Sequence, residues 1–240
     1  QGLGVPVVCR DERILEILPR QRITCHEAVR RALRRLDAEL AETCWTDAGR
    51  AVPPEWARCG DADYAGGTIF SCGYRVRLRA NPEDVWTPVV RIGGETGYYF
   101  GELLWKVRGG LDRLAGGVGL RRGRRHPDRL RVGEALDFWR VLELDPPHRL
   151  VLLAEMKMPG EAFLEILVTP AGDGITELSM RSRFLPRGLP GLAYWYGLYP
   201  FHQWIFKGML RKMAESIGRP VIGGPDRFTR TLPDTCTLTG

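Results

Sequence analysis

The chain has 240 residues, of which 44% are hydrophobic and 27% charged, and its formal net charge is +6. This composition is typical of a globular protein with a sizeable core and argues against large-scale disorder. Six scattered cysteines without a C-x-x-C pair, and four dispersed histidines, argue against a zinc site and a disulfide framework, so we predict no metal and a reducing, cytoplasmic setting.

Residues 1–60 differ in pattern from the rest of the chain. Thr24 and Glu27 form a capping box that starts a helix, with an apolar stripe at Ala28, Ala32, Leu33, Leu36 and Leu40. Arginines occupy its other face, which favours a solvated or interdomain surface over nucleic-acid binding. Residues 43–68 are rich in Pro and Gly and are typical of a linker. No signal-peptide pattern follows Gln1, and we expect a piece of a longer polypeptide.

A domain is predicted over residues 68–217. Alternating apolar residues at 74–78 predict a half-buried strand, and Asn81-Pro82-Glu83-Asp84 predicts a helix start because Asn can cap and two acids favour the positive end of the helix dipole. A second helix ends at Gly116-Gly117, and its predicted buried face consists of Leu103, Leu104, Val107, Leu111 and Leu114.

Four strand-like runs come next, at residues 137–144, 149–158, 162–169 and 175–184. The short Pro/Gly/Asp connections between them predict antiparallel hairpins, since a parallel pair needs a longer crossover. Beyond Gly188 a long helix carries Phe201, Ile205, Met209 and Met213 at four-residue steps. Residues 218–240 are rich in Gly, Pro and Thr, and we predict a flexible tail there.

This order of elements predicts an α+β fold in which one long helix covers a curved antiparallel sheet. The segment from Ala80 to Trp86 resembles the strand-to-helix junction of the helix-grip (SRPBCC) superfamily, which includes START lipid-transfer domains and polyketide cyclases. The runs Gly93–Tyr99, Asp137–Val141 and Tyr194–His202 resemble an uncharacterised bacterial domain found behind an atypical short-chain dehydrogenase of the NAD-dependent epimerase/dehydratase type.

The resemblance implies that two domains of a longer chain have different functions. Residues 1–50 are similar to the last part of the preceding dehydrogenase-like domain, which would be this domain's partner. No G-x-G-x-x-G follows a strand, so no cofactor is expected on this segment and the dinucleotide would bind upstream. The helix-grip resemblance implies that a hydrophobic small molecule or lipid is held between the sheet and the closing helix.

Candidate ligand-binding residues are the large apolar and the charged side chains of the strands and closing helix. They are Phe138, Arg140, Glu155, Met156, Lys157, Phe163, Glu165, Met180, Trp195, Tyr199 and Phe206. The four charged ones among them fit two interpretations equally: a polar spot inside an apolar cavity, or cross-strand ion pairs on the solvent face. Similarity to cyclases also implies a catalytic alternative with His202 or Glu155 as acid or base.

The densest cluster of charge contains Arg121, Arg122, Arg124 and Arg125. One interpretation is an anion-binding clamp at the mouth of the cavity, since guanidinium groups bind carboxylates and phosphates bidentately. The other, which we favour, is a solvated loop paired with nearby acids. We expect no nucleic-acid partner, because no basic groove with interleaved aromatics is present.

Residues 188–206 carry no formal charge except the imidazole of His202. A buried helix is the favoured interpretation, because aromatic residues, glycines and prolines replace the aliphatics of a membrane span. The alternative is a structural domain that mediates homodimerisation or contacts a membrane surface.

Overall fold

The structure is a computed structural model that describes residues 13–17, 19, 21, 23–37, 56, 68–120 and 124–228. The chain divides into two compact units, Gln1–Cys44 and Trp45–Gly240. The first contains helices α1 (Arg13–Ile17) and α2 (Cys25–Asp37). At the start of α2 the Glu27 N–H donates to Thr24 Oγ1 at 3.2 Å, as the capping box predicts. The apolar stripe of α2, as far as its side chains are described, is exposed.

The second unit contains seven strands and three helices among its described residues. They are β1 (Phe70–Leu78), α3 (Pro82–Val90), α4 (Glu102–Leu114), β2 (Ala135–Leu136), β3 (Trp139–Asp145), β4 (Arg149–Ala154), β5 (Gly160–Pro170), β6 (Thr176–Pro186), α5 (Gly188–Ile217) and β7 (Val221–Arg227). The strands form one antiparallel sheet in the order β2-β3-β4-β5-β6-β1-β7. This order confirms the predicted helix-grip fold, with α5 as the long C-terminal helix.

The main core lies between the inner face of the sheet and the helices. Strand side chains alternate between the two faces, so that Leu164, Ile166 and Val168 of β5 point into the main core. From α5, Met209, Leu210 and Met213 belong to the same core and are fully buried. A smaller cluster on the outer face of the sheet consists of Trp56, Leu142, Val151 and Phe163.

Helix α3 begins where the sequence predicts. Pro82 is in its first turn and Glu83 and Asp84 follow, which suits the positive end of the helix dipole. Asn81 is extended, but its side chain makes no capping hydrogen bond, so this detail of the prediction is wrong. The helix buries Val85, Trp86 and Val89 in the main core.

The predicted buried face of α4 is wrong for four of its five residues. Leu103, Val107, Leu111 and Leu114 are between 50% and 87% exposed. The side of α4 that packs against the domain is buried at Gly109 and Asp112 instead. Gly109 lies against Leu120, and a Cβ there would come 2.8 Å from the Leu120 side chain, so a close approach orients the helix.

The segment after α5 also differs from the prediction of a flexible tail. Val221–Arg227 form β7, which pairs with β1 at the edge of the sheet. The Arg227 guanidinium lies 5.8 Å from the ring centroid of Tyr199. Backbone pairing thus orders a sequence whose Gly and Pro content alone suggested mobility. Residues 229–240 lie outside the described part of the chain.

Candidate functional site

A cavity of about 260 Å³ lies between α4, the inner face of the sheet and residues 194–206 of α5. Helix α4 contributes Leu104, Trp105, Val107, Arg108 and Leu111, and α5 contributes Tyr194, Trp195, Leu198, Phe201, His202, Ile205 and Phe206. The sheet and the segment after β4 supply Trp139, Met156, Met158, Ala162, Phe163, Leu164, Ser182 and Phe184. Most of these side chains are aliphatic or aromatic, which is the usual lining of a site for a hydrophobic ligand.

Asp112 fixes α4 at the side of this cavity. Its carboxylate is buried and accepts hydrogen bonds from the Gly119 N–H at 2.7 Å and from the Lys157 N–H at 2.5 Å. A Cβ on Gly117 would overlap the same carboxylate, so the loop that follows α4 closes tightly around it. Asp112 therefore ties the helix both to its own following loop and to the segment after β4.

Among the described residues that line the cavity, Arg108 is the cation. Its Nη2 donates to the Lys157 carbonyl at 3.0 Å, and its Nη1 lies 3.8 Å from Asp112 Oδ1. One N–H group thus donates to a protein carbonyl, and the buried carboxylate of Asp112 offsets the charge.

His202 is the titratable imidazole on the wall. Its ring stacks on Phe206 with 5.6 Å between centroids and also lies 5.6 Å from the ring of Trp195. The Nδ1 atom is buried and has no hydrogen-bond partner. Burial lowers the pKa of His202 to about 4, so the imidazole is neutral at physiological pH.

Four of the residues predicted to bind a ligand border the cavity: Met156, Trp195 and Phe206, and also Phe163, although the ring of Phe163 packs against Trp56 on the outer face of the sheet. Phe138 and Met180 are fully buried in the main core, and the ring of Phe138 is parallel to that of Tyr98 at 5.8 Å. Tyr199 packs at the edge of the main core, beside Arg227. These three side chains shape the core and are not among the lining residues.

The charged candidates lie elsewhere. Arg140 and Glu165 each stand between two residues of the main core, so by alternation both point to the outer face. Arg140 donates from Nε and Nη2 to Glu155 at 2.9 and 3.1 Å. Glu165 instead pairs with Arg181 at 2.5 Å and with Arg149 at 3.0 Å. The polar spot inside the cavity is therefore a wrong interpretation, and Lys157 is exposed.

The basic loop does not present Arg124 to a ligand. Each of the three nitrogens of its guanidinium donates to a backbone carbonyl: Nε to that of His126, Nη1 to that of Ile92 and Nη2 to that of Arg129. Burial lowers its pKa, and the carbonyls take the place of water around the charge. The Arg125 N–H donates to Glu134 at 3.2 Å. Arg121 and Arg122 lie outside the described residues.

Exposed apolar side chains lie on the same two helices as the lining residues of the cavity. We call this group the apolar rim: Leu103, Val107, Leu111 and Leu114 on α4, with Phe201 and Trp204 on α5. Val107, Leu111 and Phe201 belong both to the rim and to the cavity wall. The periodic leucines of α4 were visible in the sequence, but their spacing could not distinguish the mouth of a cavity from a core.

The described residues hold no group of three His, Cys, Asp or Glu side chains able to bind a metal ion. None of the described helices is long and apolar enough to cross a membrane.

Comparison with solved structures finds similar proteins at low identity. A conserved protein from Geobacillus kaustophilus is 15% identical, with a TM-score of 0.35, over 62% of this chain and 95% of that one. An HSP90 activator from Plasmodium falciparum is 13% identical, with a TM-score of 0.34, over 65% and 98%. Norcoclaurine synthase from Thalictrum flavum is 12% identical, with a TM-score of 0.36, over 63% and 92%.

The comparison with curated proteins finds no match. The fold assignment rests on the sheet order and the closing helix of the chain itself. Residues 64–209 match the model of a family described as a protein of unknown function, DUF2867, and the chain belongs to that family.

Proposed function

We propose that this domain binds a hydrophobic small molecule or lipid in the cavity between the sheet, α4 and α5. The observation that supports the proposal is the cavity itself, about 260 Å³ in volume and lined mainly by aromatic and aliphatic side chains. An apolar site of this kind gains affinity from each apolar group that it removes from water. The rim at its open side leaves a route by which a ligand can enter.

The catalytic alternative has less support. Acid–base chemistry usually needs a second titratable group near the first, to orient it or to complete the proton transfer. Glu155, the other candidate, lies on the outer face of the sheet in an ion pair with Arg140. No carboxylate is among the described residues that line the cavity. His202 is left as a single neutral imidazole, which suits binding better than proton transfer.

Blocking the cavity tests the binding function. Ala162 lies on the cavity wall, and Thr169 is exposed near the far end of the same strand. In a titration with the neutral fluorophore N-phenyl-1-naphthylamine, Ala162→Phe is expected to weaken binding at least about tenfold, because the new ring occupies the ligand's volume. Thr169→Phe is the matched control and is expected to bind as the unchanged protein does. Equal binding by both variants, or no binding by the unchanged protein, would contradict the proposal.

The apolar rim favours a second candidate function, contact with a lipid surface. Because the rim is continuous with the cavity wall, a lipid-soluble ligand could pass from a membrane into the cavity without crossing water. Vesicles of phosphatidylcholine should sediment the protein, and the double variant Leu103→Ser, Leu114→Ser should lose most of this binding. Val132, also exposed, provides the control substitution Val132→Ser. Failure of the unchanged protein to sediment would overturn this candidate alone.

We also propose that the domain is the accessory, ligand-holding part of a dehydrogenase- or epimerase-like protein. The support is the resemblance of residues 1–50 to the end of such a domain. A polypeptide that includes the natural sequence upstream of residue 1 is expected to bind NADH or NADPH, as measured by nucleotide fluorescence. Absence of binding to either nucleotide would contradict this proposal.

A further inference from the structure

The cavity wall contains two buried polar atoms without a hydrogen-bond partner by distance and angle, Trp139 Nε1 and His202 Nδ1. The Trp139 side chain interacts with the Tyr98 hydroxyl, so Trp139 Nε1 has a polar neighbour within the protein. The rings of Phe206 and Trp195 lie beside His202, and no hydrogen-bond partner is within reach of its Nδ1. A buried polar group without a hydrogen-bond partner costs free energy. A ligand that supplies the partner should therefore bind more tightly than an apolar ligand of the same size.

The charge around His202 limits what that ligand can be. Arg108 is the cation among the described lining residues, and it is already engaged by the Lys157 carbonyl and by Asp112. A carboxylate or phosphate in the cavity would lose its water and meet a cation whose charge is already offset by Asp112. The imidazole of His202 itself is neutral because burial lowers its pKa to about 4, so it adds no positive charge to the cavity.

The hydrogen bonding of a neutral imidazole further restricts the chemical class of the ligand. One ring nitrogen donates and the other accepts, and the tautomer decides which. A hydroxyl group both donates and accepts, so it can pair with His202 in either tautomer, whereas a carbonyl can pair with only the donor nitrogen.

We propose that the ligand is an uncharged hydrophobic alcohol or phenol whose hydroxyl group hydrogen-bonds to His202. This inference rests on the proposed binding function and names the class of ligand for the same cavity. His202 is then the residue that selects among apolar molecules of similar size, while the surrounding rings and aliphatic side chains provide affinity.

Three probes of one shape test the inference: 2-naphthol, naphthalene and 2-naphthoate, each titrated by isothermal calorimetry. The unchanged protein is expected to bind 2-naphthol in preference to naphthalene, and 2-naphthoate at least about tenfold more weakly than 2-naphthol. The His202→Phe variant should reduce the ratio of naphthol to naphthalene affinity by about threefold to tenfold, the range expected for one net hydrogen bond.

Two further variants provide controls. His202→Gln keeps a donor and an acceptor and should retain part of the preference for 2-naphthol. His148→Phe makes the same substitution at an exposed turn and should leave the ratio unchanged. Thermal unfolding of each variant establishes that it is folded.

The outcomes separate the two proposals. Binding of naphthalene with a naphthol ratio that His202→Phe leaves unchanged would overturn the inference and leave the binding function standing. Tighter binding of 2-naphthoate than of 2-naphthol by the unchanged protein would also overturn it, and this comparison needs no variant. Failure of all three probes to bind would count against the binding function itself, and the inference would fall with it.

Discussion

The two halves of α5 have different surroundings. Residues 205–214 include Met209, Leu210, Met213 and Ala214, all with 0% exposure in the main core. In residues 188–204, Leu189 is 80% exposed and Tyr196 64% exposed, and several of their neighbours line the cavity. Pro200 lies in the first half, near its end, and removes one backbone hydrogen bond of the helix. The second half closes the core, and the first half leaves room beside it.

This difference indicates that the C-terminal part of α5 mainly stabilises the domain and that its N-terminal part mainly borders the cavity, with Ile205 and Phe206 at the junction contributing to both. Close packing against the sheet makes the second half sensitive to any change in volume. Where the first half borders the cavity, we expect it to tolerate a loss of side-chain volume better. Paired substitutions, one in each half, test that separation.

The largest effect is expected in the second half. Met209→Ala removes a fully buried side chain and should lower the free energy of unfolding by about 2–5 kcal/mol. Leu198→Ala, on the cavity wall in the first half, should lower it by only about 1 kcal/mol, because this side chain is half-buried beside a cavity. Urea unfolding measures both. Equal losses would contradict the difference between the halves.

Two glycines of α5 give a sharper comparison. A Cβ on Gly208 would overlap the Phe100 ring, whereas a Cβ on Gly197 meets nothing within 4 Å. Gly208→Ala should therefore destabilise the protein by about 1–3 kcal/mol through overpacking. Gly197→Ala should stabilise it by about 0.5–1 kcal/mol, because alanine is the better helix former. The measurement is the sign of each change in thermal midpoint, and a destabilised Gly197→Ala variant would show that the first half is closely packed as well.

The pH dependence of stability should report on His202. Burial lowers its pKa to about 4 in the folded state, against an unfolded value near 6.5. Between those values the unfolded chain binds the proton and the folded chain does not, so stability falls as the pH falls. The expected loss from pH 7 to pH 5 is on the order of 1–2 kcal/mol.

The control for this effect is the His202→Phe variant, which retains every other titrating group. Its loss of stability from pH 7 to pH 5, measured by urea unfolding, should be smaller than that of the unchanged protein by the amount expected for His202. An identical pH dependence in the two proteins would mean that the imidazole is accessible to protons in the folded state.

Much of the fold could be predicted from the sequence because its signals are local. The alternation in β1, the Pro/Gly/Asp connections between strands, and the start of α3 after Asn81 each depend on neighbouring residues. The structure places elements at these positions with small differences in their ends.

The cavity could be predicted less well, because its walls depend on which way each side chain points. The spacing of Leu103 and Leu111 predicted a buried face, but the buried carboxylate of Asp112 turns that face outward. The sequence also could not decide between the faces of β3 and β5, so Arg140 and Glu165 were candidates for a cavity that lies on the other side of the sheet.

Trp56 lies eight residues before the start of the family match, yet it belongs physically to the folded domain. Its indole N–H donates to Glu161 at 2.7 Å, its carbonyl accepts from Arg183 at 3.0 Å, and its ring contacts Phe163 at 4.7 Å. A polypeptide cut at residue 64 would uncover Phe163 and leave Arg183 without that acceptor. Expression boundaries for this domain therefore belong upstream of Trp56, where a cut leaves the back of the sheet covered.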